Sequence, residues 1–214
     1  MSAGLNPTGQ PAGSQAPPWI PVSGEPVLEA LFARRRNTSP RRLAEPGPDA
    51  SALLALMEAA ATAPDHGQLA PWHFILVPKE TRPALGRAFA TALIERDPGA
   101  TQDQITAAAE KAERAPCLLV AISHLDDGAS GIPDQERLVS LGCAIQNILL
   151  AATSMGFASG LTSGRSLGSG AVRAFLGLQS QQRAICFIGL GTASSPPRAR
   201  QRPDPESLMR VLTA

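Results

Sequence analysis

The apolar positions divide the chain into segments of different period. Val27, Leu28, Leu31 and Phe32 recur at helical spacing and run into Arg34, Arg35, Arg36 and Asn37. A turn carrying Pro40, Pro46 and Pro48 follows. Asp49 then stands as an N-cap for a helix with Leu53, Leu54, Leu56 and Met57, which must stop before Pro64. Residues 72–77 form a compact apolar run that predicts a buried strand. Residues 80–113 read as two polar-faced helices split at Asp97-Pro98-Gly99, and residues 117–123 as an apolar strand after Pro116. The longest helix is predicted over 134–156, with Leu138, Leu141, Ile145, Ile148, Leu149 and Ala152 on one side and a stop at Met155-Gly156. A short extended piece, a glycine-rich turn and a short helix near 171–176 come next. Residues 183–190 predict a third clear strand, and a Pro- and Arg-rich end precedes the apolar residues 208–212. Helices with three or four strands between them predict a layered α+β structure.

Residues 1–25 are dominated by Gly, Pro, Ser, Ala and Gln, with Trp19-Ile20 the one strong apolar pair. Such a stretch buries too little to offset its ordering entropy, so a flexible extension is expected there, with one folded domain over 26–214. The apolar share of 43% suits a globular body. A net charge of +1 gives no global attraction for nucleic acid or an anionic membrane. Cys117, Cys143 and Cys186 are an odd number at isolated spacings, which suits neither a disulfide framework nor a metal site. No apolar run reaches the ~18–20 residues of a bilayer span, and the N-terminus lacks the pattern of a secretion signal. A soluble cytoplasmic protein with reduced thiols, no membrane contact and no metal is expected.

Four stretches could carry chemistry. Arg34-Arg35-Arg36-Asn37 closes a helix, where cations suit the macrodipole, but adjacent guanidiniums repel unless water or a phosphate compensates. Arg41 and Arg42 extend the cluster and open a nucleic-acid reading, which lacks an aromatic stacking platform. Residues 64–74, Pro-Asp-His-Gly-Gln-Leu-Ala-Pro-Trp-His-Phe, place polar groups between prolines ahead of a strand. Residues 157–164, Phe-Ala-Ser-Gly-Leu-Thr-Ser-Gly, allow a flat ligand to approach the backbone. Gly189-Leu190-Gly191-Thr192 leaves the last strand ahead of Arg198 and Arg200, two apart and able to point the same way in an extended segment. A solvated tail is the alternative for that pair. No nucleophile keeps company with an acid or base in any of the four.

Taken in order, these stretches resemble the nitroreductase family in its small single-domain branch, from Val27 to the C-terminus. The string at 63–74, the Arg-Arg-Asn triplet and the ending with Leu-Gly-Thr and Arg-x-Arg carry the resemblance. It implies a three-layer α+β fold, a central mixed or antiparallel sheet flanked by helices, in an intertwined homodimer. FMN is the implied cofactor, with NADH or NADPH as donor and a nitroaromatic, quinone or similar planar acceptor reduced by a ping-pong route. Arg35, Arg36 and Asn37 fall where the family holds the phosphate and ribityl chain, with Asn in place of the usual Ser. Thr62, His66 and Gln68 fall on a loop contributed by the partner subunit, and Ala70 stands where many relatives have Gln. Leu161, Thr162 and Ser163 fall along the ring system, and Arg198 and Arg200 on a second phosphate clamp. The hydride chemistry resides in the cofactor, so no catalytic side chain is required. Relatives with this fold and a specialised flavin reaction (dehalogenation, flavin fragmentation, ring oxidation) are the alternative, with an arginine-rich nucleic-acid module behind both. The helix at 134–156 is the expected core of the dimer interface.

Overall fold

The computed structural model describes residues 27–125, 128–195 and 201–212. The extension over 1–25 and the pair Arg198 and Arg200 lie outside the described residues. Helix α1 is Val27–Arg34 and ends at the arginine cluster. Strand β1 is Leu43–Ala44. Helix α2 is Ala50–Ala61, opened by the Asp49 carboxylate, which accepts from the Ala52 N–H at 2.8 Å. Strand β2, Trp72–Leu76, precedes α3, Arg82–Arg96, and α4, Gln102–Ala109. Then come β3, Cys117–His124, α5, Asp134–Ser154, and β4, Ala158–Thr162. Helix α6, Gly170–Phe175, and strand β5, Gln182–Ala193, complete the body.

The sheet runs β1-β5-β3-β2, with β4 also paired to β5, and every one of these pairings is antiparallel. A single parallel bridge joins Asn37 to Ser159, which makes the sheet mixed. Side chains of β3 alternate between two cores, as the pleat requires. Leu119 and Ala121 join Leu56, Ala60, Leu141, Ile145, Ile148, Ile188 and Leu190 under α2 and α5. Leu118, Val120 and Ile122 join Leu85, Phe89, Val172 and Phe187 under α3 and α6. Helices on both faces of one sheet give the expected three layers.

Three details depart from expectation. The sheet has five strands rather than three or four. The run at 72–77 forms β2 at the sheet edge, so Trp72, His73, Phe74 and Ile75 are only half-buried and Leu76 is exposed. A strand with one neighbour leaves part of its apolar surface uncovered. In α5, Leu141, Ile145, Ile148, Leu149 and Ala152 are buried within the chain's own core, while Leu138 is 39% exposed. That stripe packs into the chain's own core, and Leu138 and Val139 are the large apolar residues that α5 leaves exposed. By length and composition α5 could also cross a membrane, yet here it is the central core helix.

Candidate functional site

Beyond α1 the chain turns extended and lies against β4. The Thr38 N–H donates to Ser159 O at 2.8 Å, and the Leu161 N–H donates to Asn37 Oδ1 at 2.8 Å. Only glycine permits this approach, because a Cβ at Gly160 would stand 2.0 Å from the Thr38 carbonyl oxygen. Asn37, the end of the triplet, is thus locked to the last residues of β4.

Beyond the helix, alternation along the extended segment separates Arg35 from Arg36. Arg34, Arg36 and Thr38 line a hollow of about 470 Å³ with Thr153, Phe157 and Ser159. Arg35 sits instead beside Arg202, whose Nη2 lies 3.5 Å from the Arg35 carbonyl oxygen. Burial, then Arg202, then Arg36 hold the Arg35 guanidinium below its ordinary value. Clustered cations of this kind gain most from a bound anion. The sequence reading missed Arg202; a third arginine in the run after Pro197 was the available signal.

Thr162, Ser163 and Gly164 line a cleft of about 370 Å³ together with Pro40, Phe89, Leu118 and Phe187. Lys111, from the segment between α4 and β3, lines the same cleft. It too was missed, although it is one of only two lysines among many arginines. Leu161 is half-buried and packs on the core instead.

Thr62, His66 and Gln68 stand elsewhere. The Thr62 hydroxyl donates to Ala59 O at 2.8 Å and accepts from Asn147 Nδ2 at 3.0 Å, so its hydrogen is already engaged. His66 Nδ1 and Glu136 Oε2, at the start of α5, lie 2.6 Å apart on an exposed face. The intervening loop is tightly wound: Gly67, Gln68 and Ala70 have φ of 72°, 53° and 43°, and Asp65 Oδ2 accepts from the Ala70 N–H at 2.6 Å. Left-handed backbone at non-glycine residues concentrates at ligand-clamping sites. Among the described residues no hydrogen bond joins this loop to Asn37 or Leu161.

Other candidate chemistries find little support. Arg42 donates to Ser195 Oγ at 3.0 and 2.7 Å, a structural use of part of the cluster that suggested nucleic acid. Burial pushes the Cys117 and Cys186 thiols up to about 11, so neither supplies a thiolate nucleophile. Among the described residues no group of three or more His, Cys, Asp or Glu could hold a metal.

Residues 33–192, which span the triplet, the loop, the cleft and all but the last residue of β5, match the model of the nitroreductase family. The chain belongs to the nitroreductase family. A Haemophilus influenzae protein provisionally named an NAD(P)H nitroreductase is 33% identical over 165 residues, covering 77% of this chain and 89% of its own length. Escherichia coli K12 YdjA, also provisionally named an NAD(P)H nitroreductase, is 32% identical over 169 residues, covering 78% and 87%. The fold is that of solved nitroreductase-like proteins. A Bacillus cereus member superposes with a TM-score of 0.76 at 19% identity, covering 90% of this chain and 99% of its own. A variant of NfnB from Sphigopyxis sp. strain HMH, described as an FMN- and NADPH-dependent nitroreductase, superposes at 0.68 with 20% identity, covering 86% and 97%. A general oxidoreductase activity follows for this nitroreductase-family chain.

Proposed function

We propose that this chain is an FMN-dependent NAD(P)H oxidoreductase acting on a small planar acceptor by a ping-pong route. The observation that carries the reading is the junction of Asn37 with Leu161, which joins an arginine pair to a cleft with a cation in its wall. The residues fit the cofactor. A phosphate dianion suits Arg35 and Arg202, whose mutual repulsion it relieves. Arg36 lines the other hollow and acts on the phosphate through the field of the cluster rather than by facing it. Arg198 and Arg200 complete the clamp in this reading.

When bound, FMN supplies hydride transfer in both directions. Thr162 and Ser163 orient the ring along the cleft wall. Lys111 provides positive charge that favours added electron density there. The cleft walls restrict water, and no acid–base residue is required. The loop bearing Thr62, His66 and Gln68 serves the site of a second copy, with Glu136 fixing the His66 ring. Relatives named for NAD(P)H, and NfnB for FMN and NADPH, support both ligands.

Purified protein should be yellow, with flavin absorbance near one FMN per chain, bleached by NADH or NADPH without oxygen and restored by a quinone. A colourless protein that cannot be reloaded with FMN overturns the reading.

A further inference from the structure

The cleft beside Thr162 holds more charge than the proposed cofactor reading uses. Besides Lys111 it is lined by Arg96, from the last turn of α3, and by Arg165, from the turn after β4. All three cations are exposed, and among the described residues none of their side chains forms a hydrogen bond or ion pair. No Asp or Glu is among the lining residues, while Phe89, Leu118, Leu167 and Phe187 bring buried apolar surface into the same walls. An apolar, partly aromatic lining with uncompensated guanidiniums matches a flat molecule that carries an anionic group.

We propose that Arg96 and Arg165 select acceptors bearing a carboxylate, so that the preferred substrate class is the planar aromatic carboxylate rather than its neutral analogue. This rests on the oxidoreductase reading above. For a nitrobenzoate the first turnover is balanced by one reduced nicotinamide. NAD(P)H gives up two electrons as hydride and one proton is taken up from solvent, an N–O bond of the nitro group breaks, and nitrosobenzoate, water and NAD(P)⁺ are formed. The carboxylate takes no part in the chemistry. It is held by the two guanidiniums, so its contribution weakens with salt.

The test compares 4-nitrobenzoate with 4-nitrobenzamide on the FMN-loaded protein, in low salt, with NADH and NADPH. The wild type should favour the carboxylate by about fivefold or more in kcat/KM, the scale of partly exposed charge pairs acting together. In R96Q/R165Q the ratio should fall to about one through KM, and in R165E it should fall below one. Equal kcat/KM for the two compounds in the wild type, or a preference that survives in R96Q/R165Q, overturns the proposal. So does a defect confined to flavin reduction by NADPH, which assigns the cations to the donor's phosphates. Calorimetric titration of benzoate into the same proteins separates this inference from the one beneath it. Benzoate binding that is lost in R96Q/R165Q sustains the anion site even if no flavin reduction occurs. Flavin reduction without benzoate binding sustains only the oxidoreductase.

Discussion

Asn37 Oδ1 accepts a hydrogen bond from the backbone N–H of Leu161 at 2.8 Å, linking positions 124 residues apart. The bond ties the end of the arginine cluster to the turn that enters the cleft, and Asn reaches it where the family's usual Ser is shorter. Asn37→Ala should therefore leave the fold intact and weaken FMN binding by about 1 kcal/mol, roughly fivefold, the worth of one partly exposed hydrogen bond. Flavin fluorescence titration reads the change. Unaltered affinity would place the cofactor away from this junction.

Gly160 sets how closely the two segments approach. With a Cβ position 2.0 Å from Thr38 O, Gly160→Ala must push residues 37–38 off β4. Overpacking against backbone costs about 1–3 kcal/mol, or roughly 2–12 °C in Tm for a chain of this size. The same variant should lose FMN more severely than Asn37→Ala, because the whole triplet moves. A Tm within a degree of wild type would contradict the geometry.

Local signals were legible in the sequence where the physics is local. Asp49 caps α2, Arg34 closes α1, and the glycine after Met155 ends the turn beyond α5, with φ of 86° at Gly156. The family strings named the junction and the loop. What escaped depends on distant packing. The two-residue strand β1 exists only because β5 extends past β3 to pair with it. The half-burial of β2 follows from its place at the sheet edge. Lys111 and Arg202 are single charges in unremarkable contexts until the fold sets them beside residues 161–164 and Arg35. The apolar stripe of α5 went to the chain's own core because periodicity reports an apolar face, and not which surface covers it.

Repulsion within the cluster gives Arg202 opposite effects on the empty and the loaded protein. It is among the charges that hold Arg35 below its ordinary value. Removing it in Arg202→Ala should leave the FMN-free protein at least as stable, since one like-charge contact disappears. Affinity for FMN should fall by about 10–100-fold, the range for a hydrogen bond to a charged group. Urea denaturation with and without FMN reads both signs. Equal stability changes in the two states would remove Arg202 from the phosphate.

His73 Nδ1 and His124 Nε2 lie 2.7 Å apart on neighbouring strands β2 and β3. Burial, then His124, holds His73 below its usual value, and burial, then Arg137, does the same to His124. The unfolded chain thus binds protons that the folded chain refuses as pH drops below about 6.5. Stability should be constant with respect to this pair above that pH. It should decline as pH falls through the unfolded value, and the decline should end below the lowered folded values. Urea midpoints at pH 7.5 and pH 5.5 measure it. His124→Gln should flatten the dependence, and an unchanged slope would assign it to other groups.

The separation of the loop at 62–68 from the junction at Asn37 makes a prediction about stoichiometry. If the loop serves a second copy, a dimer mixed from Arg35→Ala and His66→Ala chains carries one site with both defects and one with neither. The intact site combines the unaltered Arg35 of one chain with the unaltered His66 of the other. Purified mixed dimers should then hold about half the tightly bound FMN of wild type, although each homodimer holds little. If each chain built its site alone, both sites of the mixed dimer would carry one defect, and no wild-type affinity could return. The exposed His66–Glu136 pair favours the first outcome, because among the described residues no hydrogen bond ties its loop to the chain's own Asn37 or Leu161.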